Sequence, residues 1–364
     1  MAKEKLKILM ITSRADFGGG PEHLYRLLSL RDNFNIFIAA PNDKPYFLMY
    51  QELIGVGNMI VIPHRKFRIK KLFELVSFVN SNRISIIHSH GKGAGIYSRI
   101  VALFTKSKCI HTFHGLHLLN YGYLSRHVYI LLEKMLSRFT DCFVTVSKSE
   151  KRKTLSLCLA PEEKIQVIKN GVTIPENFKS TDEKFKSNKI LYVSRFDYAK
   201  NSLLLVEIIN EFKSHSKENR FEFHLVGDGP DKNVLENKIK EANLSNVIFH
   251  GFQKDLSNFY SDAFCYISTS RWEGLPLSLL EAMSFSTPSV VTDVDGNNDL
   301  VSNGENGYLF KLDRPQDAAE YLMKMKQDKE LYLRLSTNAR KLILDNYSVT
   351  NMIKQTEDLY LSLV

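Results

Sequence analysis

Two glutamates, Glu273 and Glu281, lie eight positions apart in SRWEGLPLSLLEAM (270–283), a segment that reads as a strand-to-helix turn. Pro276 suits the first helical position, because its fixed φ fits there and its missing N–H is not needed. The helix is expected to begin about Gly274 to Pro276, with unpaired amides near Gly274, Leu275 and Leu277. The positive end of its dipole would hold an anion such as a phosphate. Glu281 then falls two turns along, roughly 8–10 Å from the helix start. That spacing matches the distance from a phosphate to the ribose hydroxyls of a nucleotide. A surface helix with two unrelated glutamates would give the same pattern.

Other segments bring chemistry within reach. HTFHGLH (111–117) carries three histidines, but no carboxylate or cysteine accompanies His111, His114 and His117, so a metal set is disfavoured. His88 and His90 read as structural or cleft-lining. GDGPDK (227–232) has Lys232 where a dinucleotide fingerprint needs its third glycine, and no acidic residue is clearly placed on a following strand, so NAD binding is disfavoured. The turn more plainly borders a base pocket near Phe252. Asp293-Val294-Asp295 mimics a two-aspartate metal motif, yet it follows the late strand PSVV and precedes Gly296, the wrong setting for that role.

Parallel sheets must position these residues. Short β-branched and aromatic runs recur near 7–12, 34–40, 58–63, 84–90, 108–114, 141–147 and 164–170, and again near 189–195, 221–227, 247–252, 264–269 and 288–293, with helical patterns between most of them. Val128, Leu131, Leu132, Met135, Leu136 and Phe139 follow the spacing of one helix face. The polar segment 172–188 lacks an apolar period and is the expected linker. The chain is therefore read as α/β, with two doubly wound, Rossmann-like domains: 1–172, the linker 173–188, and 189–345. Open sheets of this kind bind ligands at the carboxyl ends of their strands.

Length and composition agree with that reading. The chain has 364 residues, of which 44% are apolar and 24% charged, proportions of a folded protein long enough for two cores. Four cysteines (109, 142, 158 and 265) show no metal or redox spacing and suit a reducing cytoplasm. The opening apolar run, Leu6 to Ile11, is too short for a signal peptide, and no run is long enough to span a membrane.

Taken together and in order, GGGPEHLYRLL (18–28), VIKNGV (167–172), VSRFDYAKN (193–201), LVGDGP (225–230) and the 270–283 segment resemble family 4 of the retaining glycosyltransferases, of the bacterial surface-polysaccharide type, which have the GT-B fold. The resemblance covers nearly the whole chain. It implies that Arg195 and Lys200 hold the diphosphate of a nucleotide-sugar donor. Two fixed cations there would stabilise charge developing on the leaving group more than the ground state. It implies that Glu281 binds the ribose, that Glu273 lies by the donor sugar, and that His114 positions that sugar against the acceptor. Gly19 and Gly20 match the family's glycine pair, expected in a loop open to phosphate or acceptor, with Pro21 as a departure that removes an amide. Gly227, Phe252, Gly274, Leu275 and Pro276 complete the expected donor set, and no metal or other cofactor is required. Residues 346–364 resemble the family's terminal helix, which crosses back to the first domain.

Charge is unevenly divided. Residues 1–180 carry 27 Lys/Arg against 13 Asp/Glu, a net +14, whereas 181–364 carry 22 against 27, a net −5. Arg65, Lys66, Arg68, Lys70 and Lys71 form one basic run and Lys148, Lys151, Arg152 and Lys153 another, with Tyr121, Tyr123 and Tyr129 between them in sequence. This suits an anionic membrane surface, and no nucleic-acid recognition motif accompanies it. The expected enzyme is a hexosyltransferase in the cytoplasm, peripheral at the inner face of the plasma membrane, moving a sugar from a donor of the UDP type to a hydroxyl of a lipid-linked or growing glycan. The alternatives are transfer to a small soluble acceptor and a non-catalytic sugar-nucleotide or membrane-binding protein of the same fold.

Overall fold

A computed structural model describes residues 5–116, 122–215 and 221–364, with the side chains of 213–215 excepted. The chain divides into two compact units, one of residues 1–170 with 349–364 and one of residues 171–348.

The first unit holds a parallel sheet of β1 (Lys7–Thr12), β2 (Asn35–Ala40), β3 (Met59–Val61), β4 (Ile86–His90), β5 (Lys108–Thr112), β6 (Cys142–Thr145) and β7 (Ile165–Val167) in the order β3-β2-β1-β4-β5-β6-β7. The second holds β8 (Lys189–Val193), β9 (Glu222–Val226), β10 (Val247–Gly251), β11 (Cys265–Ser268), β12 (Ser289–Thr292) and β13 (Gly307–Phe310) in the order β10-β9-β8-β11-β12-β13. Continuous runs such as KILMIT and NIFIAA form these strands because helices cover both sheet faces, so neither face needs polar alternation. Ile8, Met10 and Ile38 pack into one apolar layer, and Leu9, Ile11 and Phe37 into the other. In each sheet the strand order reverses once, between β1 and β4 and between β8 and β11. A crevice opens at such a reversal, beyond the carboxyl ends of the strands.

The strand-forming runs appear in the structure, and β13 is a further strand that the sequence pattern does not signal. Its four residues lie just after a polar Asn-Gly-Glu-Asn turn and are too few to show a period. The polar segment 173–188 is no free linker. It carries the helix Thr181–Lys186, opened by a capping box between Ser180 and Glu183. Lys184 within it is fully buried, its ammonium donating to the carbonyls of Tyr260 at 2.8 Å and Phe285 at 2.7 Å. The helix Val349–Ser362 belongs to the first unit, with Met352, Leu359 and Tyr360 in its core.

Candidate active site

In the second unit the expected donor residues gather at the reversal between β8 and β11. Beyond β8 the chain turns at Ser194, whose amide bonds the Val226 carbonyl at 3.0 Å, so Arg195 stands just past the strand end. Asp197 organises the turn beyond it, accepting Nε of Arg195 at 2.6 Å and the amide of Lys200 at 3.1 Å. From the other side of the reversal, Glu273 accepts the Lys200 ammonium at 2.6 Å and the Ser270 hydroxyl at 2.7 Å. Glu273 lies three residues before Pro276, which caps the helix Leu277–Ser284. One chain of contacts thus ties a guanidinium, an ammonium, a carboxylate and a helix amino end together. Lys200 and Glu273 keep 28% and 10% of their side-chain exposure, enough for a ligand to reach.

The helix begins at Leu277, one residue later than expected, because Pro276 keeps an extended ψ of 120° and serves as the cap instead of the first turn. Glu281 is therefore one turn in, about 6 Å along the axis, and not two. Its Oε2 accepts the Tyr260 hydroxyl at 2.9 Å. Leu275 and Pro276 are buried and Gly274 half-buried. The loop of Asp293 and Asp295 buttresses Glu273: the Asp295 carbonyl accepts the Glu273 amide at 3.1 Å. Gly296, at φ 86°, comes so close that a Cβ there would lie 2.8 Å from that of Glu273. Gly227 likewise has a packing role, since a Cβ on it would fall 1.8 Å from the Ser194 carbonyl oxygen. Its amide bonds the carbonyl of Gly251, next to the half-exposed Phe252.

In the first unit the site forms at the ends of β4 and β5. His114 takes a left-handed backbone, φ 58°, a conformation that costs a residue with a side chain about 1 kcal/mol or more. Buried Glu150 holds it there. One of its carboxylate oxygens accepts the Gly115 amide, and the other accepts the Val146 amide at 2.8 Å. Glu150 is itself fixed by the Ser147 hydroxyl, which caps its amide at 3.1 Å. His90 Nδ1 lies 3.1 Å from His114 Nε2, and the His23 ring packs edge-on against His114 at 4.6 Å. His88 is structural, bonded to the Tyr360 hydroxyl at 2.6 Å and to Thr112 at 2.8 Å. Burial pushes the imidazoles toward the neutral form, to about 4 for His114 and about 3 for His88, and drives His23, His90 and His111 down as well.

The histidines that meet are therefore His23, His90 and His114, whose ring nitrogens lie within 4.8 Å of one another. His111 faces away, bonded to the Ser89 hydroxyl at 2.9 Å, and His117 lies outside the described residues. Gly19 and Gly20 form the first turn of the helix Gly19–Leu27 and not a loop; Gly18 supplies the positive φ before it. Pro21 consequently removes no helix bond, because amides of the first turn have no partner within the helix.

Several contributors are not among the expected site residues: Asp197, Ser270 and His23, which lie inside the quoted segments, and Gly296 and Glu150, which lie outside them. For Glu150 the sequence does hold a signal, the Ser147-x-x-Glu150 spacing of a capping box. Its carboxylate, however, reaches past its own cap to the His114–Gly115 turn.

Sequence comparison extends beyond these residues. The family described as Glycosyltransferase Family 4 matches residues 17–174, and Glycosyl transferases group 1 matches 173–342. An O-antigen biosynthesis glycosyltransferase, WbnH of Escherichia coli, is 30% identical, the alignment covering 93% of this chain and 96% of that protein. The UDP-Gal:alpha-D-GlcNAc-diphosphoundecaprenol alpha-1,3-galactosyltransferase of Escherichia coli is 27% identical over 81% of this chain and 80% of its own. Among solved structures, Anabaena Alr3699/HepE in complex with UDP and glucose superposes with a TM-score of 0.84 at 18% identity, covering 98% of this chain and 100% of that one. The GT-B architecture is common to both.

Proposed function

The chain belongs to glycosyltransferase family 4, in its O-antigen and capsule polysaccharide branch, and from that premise we propose that it transfers a sugar, with retention at the anomeric carbon, from a UDP-sugar to a hydroxyl of a lipid-linked glycan. The observation that carries this reading is the Lys200–Glu273 contact, joined through Asp197 to Arg195 at the carboxyl ends of β8 and β11.

In this reading Arg195 and Lys200 take up the negative charge that appears on the diphosphate as the bond to the sugar breaks. Amides near Leu277 add the positive end of the helix, and Glu281 accepts hydrogen bonds from the ribose. Glu273 supports the sugar electrostatically. In the first unit, neutral His114 offers a hydrogen bond to the donor sugar, beside the place where the acceptor hydroxyl attacks. Two cations and a helix terminus suffice for the leaving group, so no divalent ion is assigned. The acceptor places the protein at the inner face of the plasma membrane, with anionic lipid beside its basic first unit. The relative that acts on a diphosphoundecaprenol-linked sugar supports that choice of acceptor.

The test is slow hydrolysis of a panel of UDP-sugars by the purified chain in EDTA, followed by transfer to a synthetic polyprenyl-diphosphate glycan, with the product's anomeric configuration read by NMR. Arg195→Ala and Lys200→Ala should each lower turnover by at least about a hundredfold. Hydrolysis of no donor by the parent protein, or unchanged rates in both variants, refutes the assignment.

A further inference from the structure

The helix Tyr123–Leu136 buries only one edge of the face its sequence suggested, with Leu136 buried and Leu132 half-buried. Only Glu133 and Leu136 are buried, while Leu124, Val128, Leu131 and Met135 remain 76%, 59%, 61% and 58% exposed, and Phe139 just beyond is 40% exposed. Positions 124, 128, 131 and 135 are separated by four, three and four residues, so they form one stripe along the helix. From Leu124 to Met135 it runs about 16 Å.

The charges around the stripe have one sign. Arg126, His127, Lys134 and Arg138 are exposed. The sole carboxylate on this helix, Glu133, points inward to fully buried Arg99 at 2.7 Å. At its inner edge Tyr129 lies beneath the Lys92 ammonium, 4.7 Å from the ring centroid. Burial lowers the proton affinity of Lys92, and Lys153, on the basic helix Lys148–Ser156, lies close enough to add to that effect. The outward surface is thus apolar along the middle and cationic at the sides. A second copy of the same face would repel it, whereas a layer of anionic headgroups over hydrocarbon complements both features.

We propose that residues 123–139 form the bilayer-docking element of this protein, with Leu124, Val128, Leu131 and Met135 entering the interface of an anionic membrane and Arg126, Lys134 and Arg138 lying among its headgroups. The inference rests on the lipid-linked acceptor reading and gives it a surface. The element begins nine residues after His114 in sequence, so the histidine assigned to the donor sugar lies in the connection that leads from β5 into this helix.

The test is sedimentation of the full chain with phosphatidylcholine vesicles, with and without 30% phosphatidylglycerol. We expect Val128→Gln/Leu131→Gln/Met135→Gln to weaken binding to anionic vesicles at least about tenfold, and Arg126→Gln/Lys134→Gln/Arg138→Gln to abolish the preference for anionic over neutral vesicles. These side chains are exposed, so both variants should keep the parent's circular dichroism, melting temperature and donor hydrolysis. Undiminished binding by the apolar variant overturns the proposal. So does a parent that dimerises without lipid while the apolar variant stays monomeric, since the stripe would then be a protein interface. Loss of vesicle binding in a protein that hydrolyses no UDP-sugar supports the docking element and defeats the glycosyltransferase reading alone.

Discussion

The ammonium of Lys200 lies 2.6 Å from Oε1 of Glu273, so without a donor the two groups assigned to opposite ends of the scissile bond neutralise each other. In the proposed function, the donor's diphosphate competes with this carboxylate for the ammonium. The pair is only partly exposed, which strengthens the contact relative to one in open water.

Removing the competitor should separate binding from turnover. Glu273→Gln is expected to bind UDP roughly three- to tenfold more tightly, because a ligand no longer meets a carboxylate charge or displaces it from Lys200, while turnover falls by about a hundredfold or more. Lys200→Ala should weaken both. Calorimetric titration with UDP alone decides the matter, and weaker binding by Glu273→Gln would show that the carboxylate helps to hold the nucleotide.

Glu150 is a positioning residue: through the Gly115 amide it holds the left-handed turn that carries His114. Glu150→Gln retains the shape but can accept only one of the two amides, its NH2 opposing the other, so kcat should fall about tenfold with the donor KM unchanged. A purely structural role would lower the melting temperature and leave the specific activity of the folded fraction intact. In a double-mutant cycle, His114→Ala/Glu150→Gln should be no slower than His114→Ala, because one residue acts through the other. Additive losses would disprove that dependence.

Those two relationships also show how far residue types alone can carry a reading. Parallel strands such as KILMIT are legible because burial on both faces demands unbroken apolar runs. Arg195, Lys200 and Glu273 are legible through their motifs, yet their union depends on Asp197 and Ser270, ordinary polar residues that matter only once the sheet order brings the ends of β8 and β11 together. The buried face of the Tyr123–Leu136 helix is illegible for a related reason. A period of 3.6 marks an apolar stripe but not whether a core or a solvent-facing surface receives it, and here Arg99 draws Glu133 inward and turns the stripe out.

The buried imidazoles give the first unit a defined response to acid. Burial lowers the pKa of His114 from 6.5 to about 4 and that of His88 to about 3, whereas both would titrate near 6.5 in the unfolded chain. Between those limits the unfolded state binds more protons than the folded one, so stability rises with pH across that window and is lost as pH falls from about 7 toward 4. Urea unfolding at pH 5 and pH 7.5 should therefore give a lower midpoint at pH 5. His88→Gln, which can still bond Tyr360 or Thr112, should shrink the difference. An equal midpoint at both pH values would mean that these rings are charged or solvated in the folded protein.

Two glycines separate space needed for folding from space needed for a ligand. At Gly227, φ 134°, a methyl group would meet the Ser194 carbonyl oxygen at 1.8 Å, beside Arg195. Gly227→Ala should thus destabilise the second unit by about 2 kcal/mol or more and displace the turn that carries Arg195. Gly20, in the first turn of its helix, has nothing within 4 Å of the corresponding position. Gly20→Ala should leave the melting temperature unchanged or raise it, by the ~0.5–1 kcal/mol that alanine contributes over glycine in a helix. If substrate backbone or phosphate must approach Gly20 closely, the same substitution will nonetheless reduce transfer severalfold, a loss of activity without a loss of stability. Thermal melts and transfer rates on both variants resolve the two effects. Full activity in stable Gly20→Ala removes this glycine from the binding set, and a stable, active Gly227→Ala contradicts the packing at the end of β9.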